Sequence, residues 1–192
     1  MASSINAITT GSGGVITTAD NSGDLNIQSG GSTKIAVTSA GVAVTGLSKA
    51  SLPTGSVLQV VNATYSTQTS TTSASYVDTG LTATITPTSA TSKIFAVVSM
   101  PNCDRSGAAN AMLYLNLCRG GSQIVEAVKA IGYSGGSAGD FSFSTGFTYY
   151  DSPASTSALT YKVQFYTYSG NGTVIVQSNS GASVLTLMEI AA

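Results

Sequence analysis

The sequence predicts an all-β protein, in which a short N-terminal hairpin-like ribbon of three strands precedes an antiparallel, jelly-roll-type β-sandwich. Three observations carry this. Period-2 alternation of apolar and polar residues recurs almost throughout the 192 residues, while a 3.6-residue apolar stripe is scarce. Gly, Ser, Asn, Asp and Pro interrupt the alternating runs at short intervals, as turns between stacked strands require. Charged residues make up only 8% of the chain against 42% hydrophobic, so ion pairing has little share in its stability and the polar surface is mostly Ser, Thr, Asn and Gly.

The ribbon is read from Gly23–Gly46, GDLNIQSGGSTKIAVTSAGVAVTG. Leu25 and Ile27, Ile35 and Val37, and Val42 and Val44 give it two apolar positions per strand. Chains below ~40 residues rarely bury enough surface unaided. The ribbon therefore needs a partner, and three copies related by one rotation axis can turn these six side chains toward that axis. They are the candidate shaft trimer core. Residues 23–52 are assigned to this shaft and linker, residues 53–192 to the sandwich, and residues 1–22, poor in apolar side chains and rich in Gly and Ser, to an anchoring segment with no core of its own.

Nine further strands follow, at Val57–Thr64, Tyr76–Thr86 (interrupted at Gly80), Lys93–Met100, Ala111–Cys118, Gln123–Ile131, Phe141–Tyr150, Leu159–Tyr168, Thr173–Gln177 and Ser183–Ile190. That number suffices for two sheets packed face to face. CRGGSQ (Cys118–Gln123) and SGNGT (Ser169–Thr173) read as tight hairpin turns, because their glycines supply positive φ. Pro87 and Pro153 fall between strands, where a missing N–H costs no ladder bond. IVEAVKAIG (Ile124–Gly132) has helix formers and a Glu126/Lys129 pair at helical spacing. Strict alternation after the Gly120–Gly121 turn favours a strand, with Ile124, Glu126, Val128 and Ala130 on one face and Val125, Ala127, Lys129 and Ile131 on the other.

Composition excludes several functions. Seven Lys and Arg against eight Asp and Glu leave a net charge of -1 with no basic stripe, which argues against a nucleic-acid partner. No run reaches the ~20 apolar residues of a membrane helix, and MASSINAITTGSGG lacks the basic and apolar regions of a signal peptide, so cytosolic synthesis without membrane insertion is expected. Under those conditions Cys103 and Cys118 are expected as buried free thiols, a disulfide being the alternative. With no histidine, imidazole triads, proton shuttles and His-ligated zinc are unavailable. The eight carboxylates are scattered, no Gly-rich stretch ends in Gly-Lys-Ser/Thr, and GGSAGD (Gly135–Asp140) reads as a loop rather than a cation site. No catalytic residue, metal or cofactor is assigned.

Tyrosine is the residue type that stands out, with nine in the chain and no tryptophan. In LTYKVQFYTYS one parity carries Tyr161, Val163, Phe165 and Thr167, expected in the core, and the other carries Lys162, Gln164, Tyr166 and Tyr168. Tyr166 and Tyr168 are the candidate surface recognition or interface residues, since an aromatic face with a polar tip suits sugar stacking or a subunit contact.

The stretch LNIQSGGSTKIAVTSAGVAVTG resembles the shaft repeat of small bacteriophage virion fibres, of the tail-fibre or head-fibre kind seen in phages of marine and cyanobacterial hosts. VLQVVNATYST, SYVDTGLTATITPTSATSKIFAVVS, LYLNLCRGGSQI, DSPASTSALTYKVQFYTYSGNGTVIV and SVLTLMEIA are similar to the C-terminal modules of those fibres, so the resemblance covers roughly residues 15–192. Long tail fibres carry a large N-terminal docking domain, whereas here only about 22 residues precede the ribbon. The resemblance implies a cofactor-free homotrimeric virion component made in the host cytoplasm. Its residues 1–22 would be held by a tail, baseplate or capsid protein, and its jelly-roll head would meet the host surface, where a glycan is a candidate partner. A capsid decoration or cement protein, a free carbohydrate-binding module and, more remotely, a polysaccharide depolymerase are the alternatives.

Overall fold

The computed structural model describes residues 25–46, 52–108, 111–133, 139–168 and 172–192. The anchoring segment expected at residues 1–22 lies outside them. The chain divides into two compact units, 1–48 and 49–192. In the first, β1 (Leu25–Ser29), β2 (Ser32–Thr38) and β3 (Gly41–Val44) form an antiparallel sheet in chain order. Gly30 and Gly31, at φ 60° and 75°, make the two-residue loop between the paired Ser29 and Ser32. Two successive positive φ values match the right-handed strand twist and are cheap only for residues such as glycine.

The second unit contains β4 (Val57–Tyr65), β5 (Thr69–Thr71), β6 (Val77–Ile85), β7 (Lys93–Ser106), β8 (Leu113–Arg119), β9 (Ser122–Ile131), β10 (Phe141–Asp151), β11 (Leu159–Thr167), β12 (Thr173–Val176) and β13 (Ser183–Ile190). β4, β13, β7, β12, β5 and β10 form one sheet, and β6, β11, β8 and β9 the other, in that order. β13 pairs with Lys93–Ser99 of β7 and β12 with Asp104–Ser106, while β4 and β5 pair in turn with β13 and β12. The six strands thus occupy four lanes, and two four-lane antiparallel sheets enclose one core. Within this unit the chain crosses from sheet to sheet at each connection between different lanes except β8–β9, which is the winding of a jelly roll.

The β8–β9 hairpin has the expected two-residue Gly120–Gly121 loop, at φ 56° and 88°, between the paired Arg119 and Ser122. SGNGT is not a hairpin. β11 and β12 belong to different sheets, so the connection between them is a crossover, of which Gly172 and Thr173 are within the described residues.

Strand β7 runs past the expected end at Met100, through Pro101, to Ser106. Pairing with β13 stops at Ser99 and resumes with β12 at Asp104, and the register with β10 shifts over the same stretch. Asn102 has φ 53°, and its Nδ2 donates to the Ser178 carbonyl at 3.2 Å, in a 3-10 turn linking β12 to β13. A proline is tolerated in a central strand here because no ladder bond is required of it. The interruption foreseen at Gly80 is a register shift in β6, at φ 89°, and a side chain there would collide with the Tyr65 ring.

Alternation delivers the core. Leu81, Ile85, Ile94, Met100, Leu115, Phe165, Leu185 and Leu187 are buried in one cluster drawn from both sheets, each stabilising by about 1.5–3 kcal/mol. Two polar ties close the sandwich. At one, Asp151 of β10 accepts from Tyr161 at 2.6 Å and pairs with Arg119, both of the opposite sheet. At the other, the buried Glu189 carboxylate of β13 accepts from the Thr88 amide and hydroxyl, both at 2.7 Å, and from Gln59 Nε2 at 2.6 Å. Cys103 and Cys118 are free and buried, and burial pushes the Cys103 thiol up to about 12. They are inert where they stand.

Burial alone would raise the pKa of Glu189, but its hydrogen bonds from Thr88 and Gln59 outweigh that and hold it below the ordinary glutamate value. A lowered folded-state value contributes stability above the unfolded value and loses it as pH falls through the folded one. The urea midpoint should therefore drop as pH falls below about 4.3, the free glutamate value. Glu189→Gln should lower the midpoint at pH 7 by the equivalent of about 1–3 kcal/mol and flatten that acid limb, because it leaves the site's donors short of a charged acceptor.

Candidate recognition surface and assembly face

The parity expected for β11 is the one observed. Tyr161, Val163, Phe165 and Thr167 are fully buried, and Lys162, Gln164 and Tyr166 line the outer face of the four-stranded sheet. Tyr168, directly after the strand, is 47% exposed. Register sets Tyr114 of β8 opposite Tyr166, and their rings stack with centroids 4.6 Å apart. Tyr168 stacks on Tyr114 at 6.2 Å, and Tyr76 meets Tyr166 edge-on at 4.6 Å. Four tyrosines therefore form one cluster. Tyr76 and Tyr114 were not singled out from the sequence, although Tyr114 alternates with Leu113, Leu115 and Leu117 in a way that exposes it to the same face.

The border of the cluster is ionic. Tyr76 donates its hydroxyl to Glu126 Oε1 at 2.8 Å, and Glu126 pairs with Lys129. Strict alternation would set Glu126 and Lys129 on opposite faces. A bulge in β9 changes that: Asn116 opposes Glu126 and Leu115 opposes Val128, which leaves Ala127 as an extra residue and brings both charges to the tyrosine side. Beside them lies a polar layer in which Cys118 Sγ donates to Gln164 Oε1 at 3.0 Å, Gln164 Nε2 to Asp78 Oδ1 at 2.7 Å, and Lys162 Nζ to Asp78 Oδ2 at 3.0 Å.

These contacts fix protonation. Desolvation, then the bond to Glu126, raises Tyr76 far above a free phenol, and desolvation also raises Tyr166. Lys129 and Tyr76 hold Glu126 low, and Lys162 does the same for Asp78. The surface is thus aromatic and neutral at its centre, with fixed charges around it.

The ribbon offers a surface of the opposite character. Leu25 pairs with Val37 and Val37 with Val42, while Ile27 pairs with Ile35 and Ile35 with Val44. All six candidate residues consequently lie on one face in two rows of three. Ile35 is half-buried, and the other five are 39–66% exposed. Among the described residues of the ribbon, none covers them.

Among the described residues no group of three or more His, Cys, Asp or Glu could hold a metal ion, and no helix is long and apolar enough to cross a membrane. No family profile matches the chain, and no curated protein matches it in sequence. Among solved structures it is similar to the protein in the crystal structure of the infectious bursal disease virus VP2 subviral particle, a viral protein. The identity is 15% and the TM-score 0.36, over 71% of this chain and 38% of that one. The chain thus spans well under half the length of that protein.

A phenol whose folded-state value is raised keeps its proton in the fold, so its contribution to stability is complete below the unfolded value and is lost as pH rises through the folded one. Tyr76, Tyr161 and Tyr166 are all raised. At a pH just above 10, the ordinary tyrosine value, the native protein should show less phenolate absorbance at 295 nm than the urea-unfolded chain. Tyr76→Phe should shrink that difference.

Proposed function

We propose that the protein is a non-enzymatic virion structural component, a short bacteriophage fibre. Three copies join through the ribbon, residues 1–22 attach them to another virion protein, and the sandwich heads face outward to the host surface. The observation that carries this reading is the in-register apolar face of Leu25, Ile27, Ile35, Val37, Val42 and Val44. Five exposed aliphatic side chains and a half-buried sixth on one face of a three-stranded sheet make a contiguous apolar patch, which marks an interaction site. Identical copies supply the missing core, and closure about a three-fold axis leaves none of these faces unmatched.

The sequence resemblance to phage fibres supports the virion setting, and the absence of histidine supports a mechanical and adhesive role over a catalytic one. The tyrosine cluster supports recognition by the head. Ring faces with hydroxyl tips, bordered by a carboxylate and amides, match the alternating C–H faces and hydroxyls of a sugar chain.

Two measurements test this. Light scattering of the full chain should give a trimer, and Ile35→Asp or Val44→Asp should abolish or weaken it by setting three like charges on the axis; a trimer unchanged by either would sink the ribbon reading. Affinity electrophoresis through gels containing neutral bacterial polysaccharides should retard the native protein. Tyr168→Ala should reduce that retardation at least several-fold with little change in melting temperature, since Tyr168 is exposed. A panel without retardation removes the glycan from the proposal.

A further inference from the structure

The sandwich carries an apolar face of its own, on the side away from the tyrosines. Register carries Val60 of β4 to Met188 of β13, Met188 to Phe95 of β7, and Phe95 to Tyr150 of β10. These four side chains form an unbroken apolar row across all four lanes of the larger sheet, on its solvent side. Val60 is 57% and Tyr150 54% exposed, and the Phe95 and Tyr150 rings stand 6.3 Å apart. The neighbouring row adds Val57 and Ile190 and ends at Lys93, the one charged side chain on this face where β13 pairs with β7. The smaller sheet, by contrast, carries Asp78, Glu126, Lys129 and Lys162 on its outer side.

A sheet face open to water normally alternates polar residues outward, and this row breaks that rule at four adjacent positions. We infer that the row is a contact between copies of this chain, which packs the heads against one another and leaves the tyrosine face outward; the inference rests on the homo-oligomer proposed above. Two features select a second copy as the occupant. Where β13 pairs with β7 the patch bears one charge, Lys93 at its margin, so two copies of it meet little like-charge repulsion, and it lacks the charge pattern by which a surface selects a different protein. The ribbon also leaves an uncovered apolar face, and another copy is the one partner that brings complements to both in fixed stoichiometry. Ribbons that hold copies together raise the effective concentration of the heads toward millimolar, so a row of this modest size suffices.

The test uses full-length protein carrying Val60→Cys, with Thr84→Cys on the exposed outer side of the smaller sheet as its control. Cys103 and Cys118 are buried and give little background. In the oligomer the thiol at position 60 should react with a maleimide at least tenfold more slowly than that at position 84, and Tyr150→Lys should remove most of the difference. Equal rates in an intact oligomer overturn the head contact and leave the ribbon reading standing. Slow labelling at position 60 in an oligomer that Ile35→Asp does not weaken supports the head contact and overturns the ribbon reading. A monomeric wild-type chain with equal rates overturns both.

Discussion

A β-strand has two faces, and this chain has few charges with which to furnish the outer one. Fifteen of its 192 residues are Lys, Arg, Asp or Glu, so the outer faces are built from hydroxyls, amides, tyrosines and aliphatic side chains. That constraint orders the rest of the structure. One core forms where the two sheets face each other, while the outer side of one sheet carries a polar aromatic surface and that of the other an apolar row. The ribbon follows the same rule in miniature, with a single sheet whose apolar face is left exposed by the described residues of its unit.

The charges that are present sit where strands must be tied. Asp151 bridges β10 to Tyr161 and Arg119 of the opposite sheet, and Glu189 gathers Thr88 and Gln59 at the end of β13. Each is a carboxylate given several donors, which is what makes burial of an acid tolerable. Asp78 and Glu126 hold Lys162, Gln164, Tyr76 and Lys129 in the same way on the tyrosine side.

Much of this was legible in the sequence because alternation is a local signal. The strand positions, the buried parity of Tyr161, Val163 and Phe165, the outward Tyr166 and Tyr168, and the Gly-Gly loop after β8 all follow from residues within ten positions of one another. What the sequence hid depends on distant pairing. Pro101 looks like a strand end until β12 and β13 are seen to divide β7 between them, and SGNGT looks like a hairpin until its two strands are found in different sheets. The extra residue at Ala127, which brings Glu126 and Lys129 together, is visible only against β8. The short β5 at Thr69–Thr71 lies in a Ser/Thr-rich stretch with no apolar alternation, and only its partner β12 makes it a strand. Tyr76 joined the site for the same reason, through contacts to residues 50 and 90 positions away.

The pairing of β4 with β13 also sets an order of events. The first strand of the sandwich finds its neighbour only when residues Ser183–Ile190 exist, so the head cannot complete its sheet until that segment has left the ribosome. The ribbon is made first and contains all of its own strand partners by Val44. Local pairings of that kind form in microseconds, whereas sandwiches dominated by distant pairings take milliseconds to seconds. In the oligomer proposed above, copies synthesised close together would have their ribbons ready while their heads are still unfinished, and its register would be chosen before the larger domains compete for it.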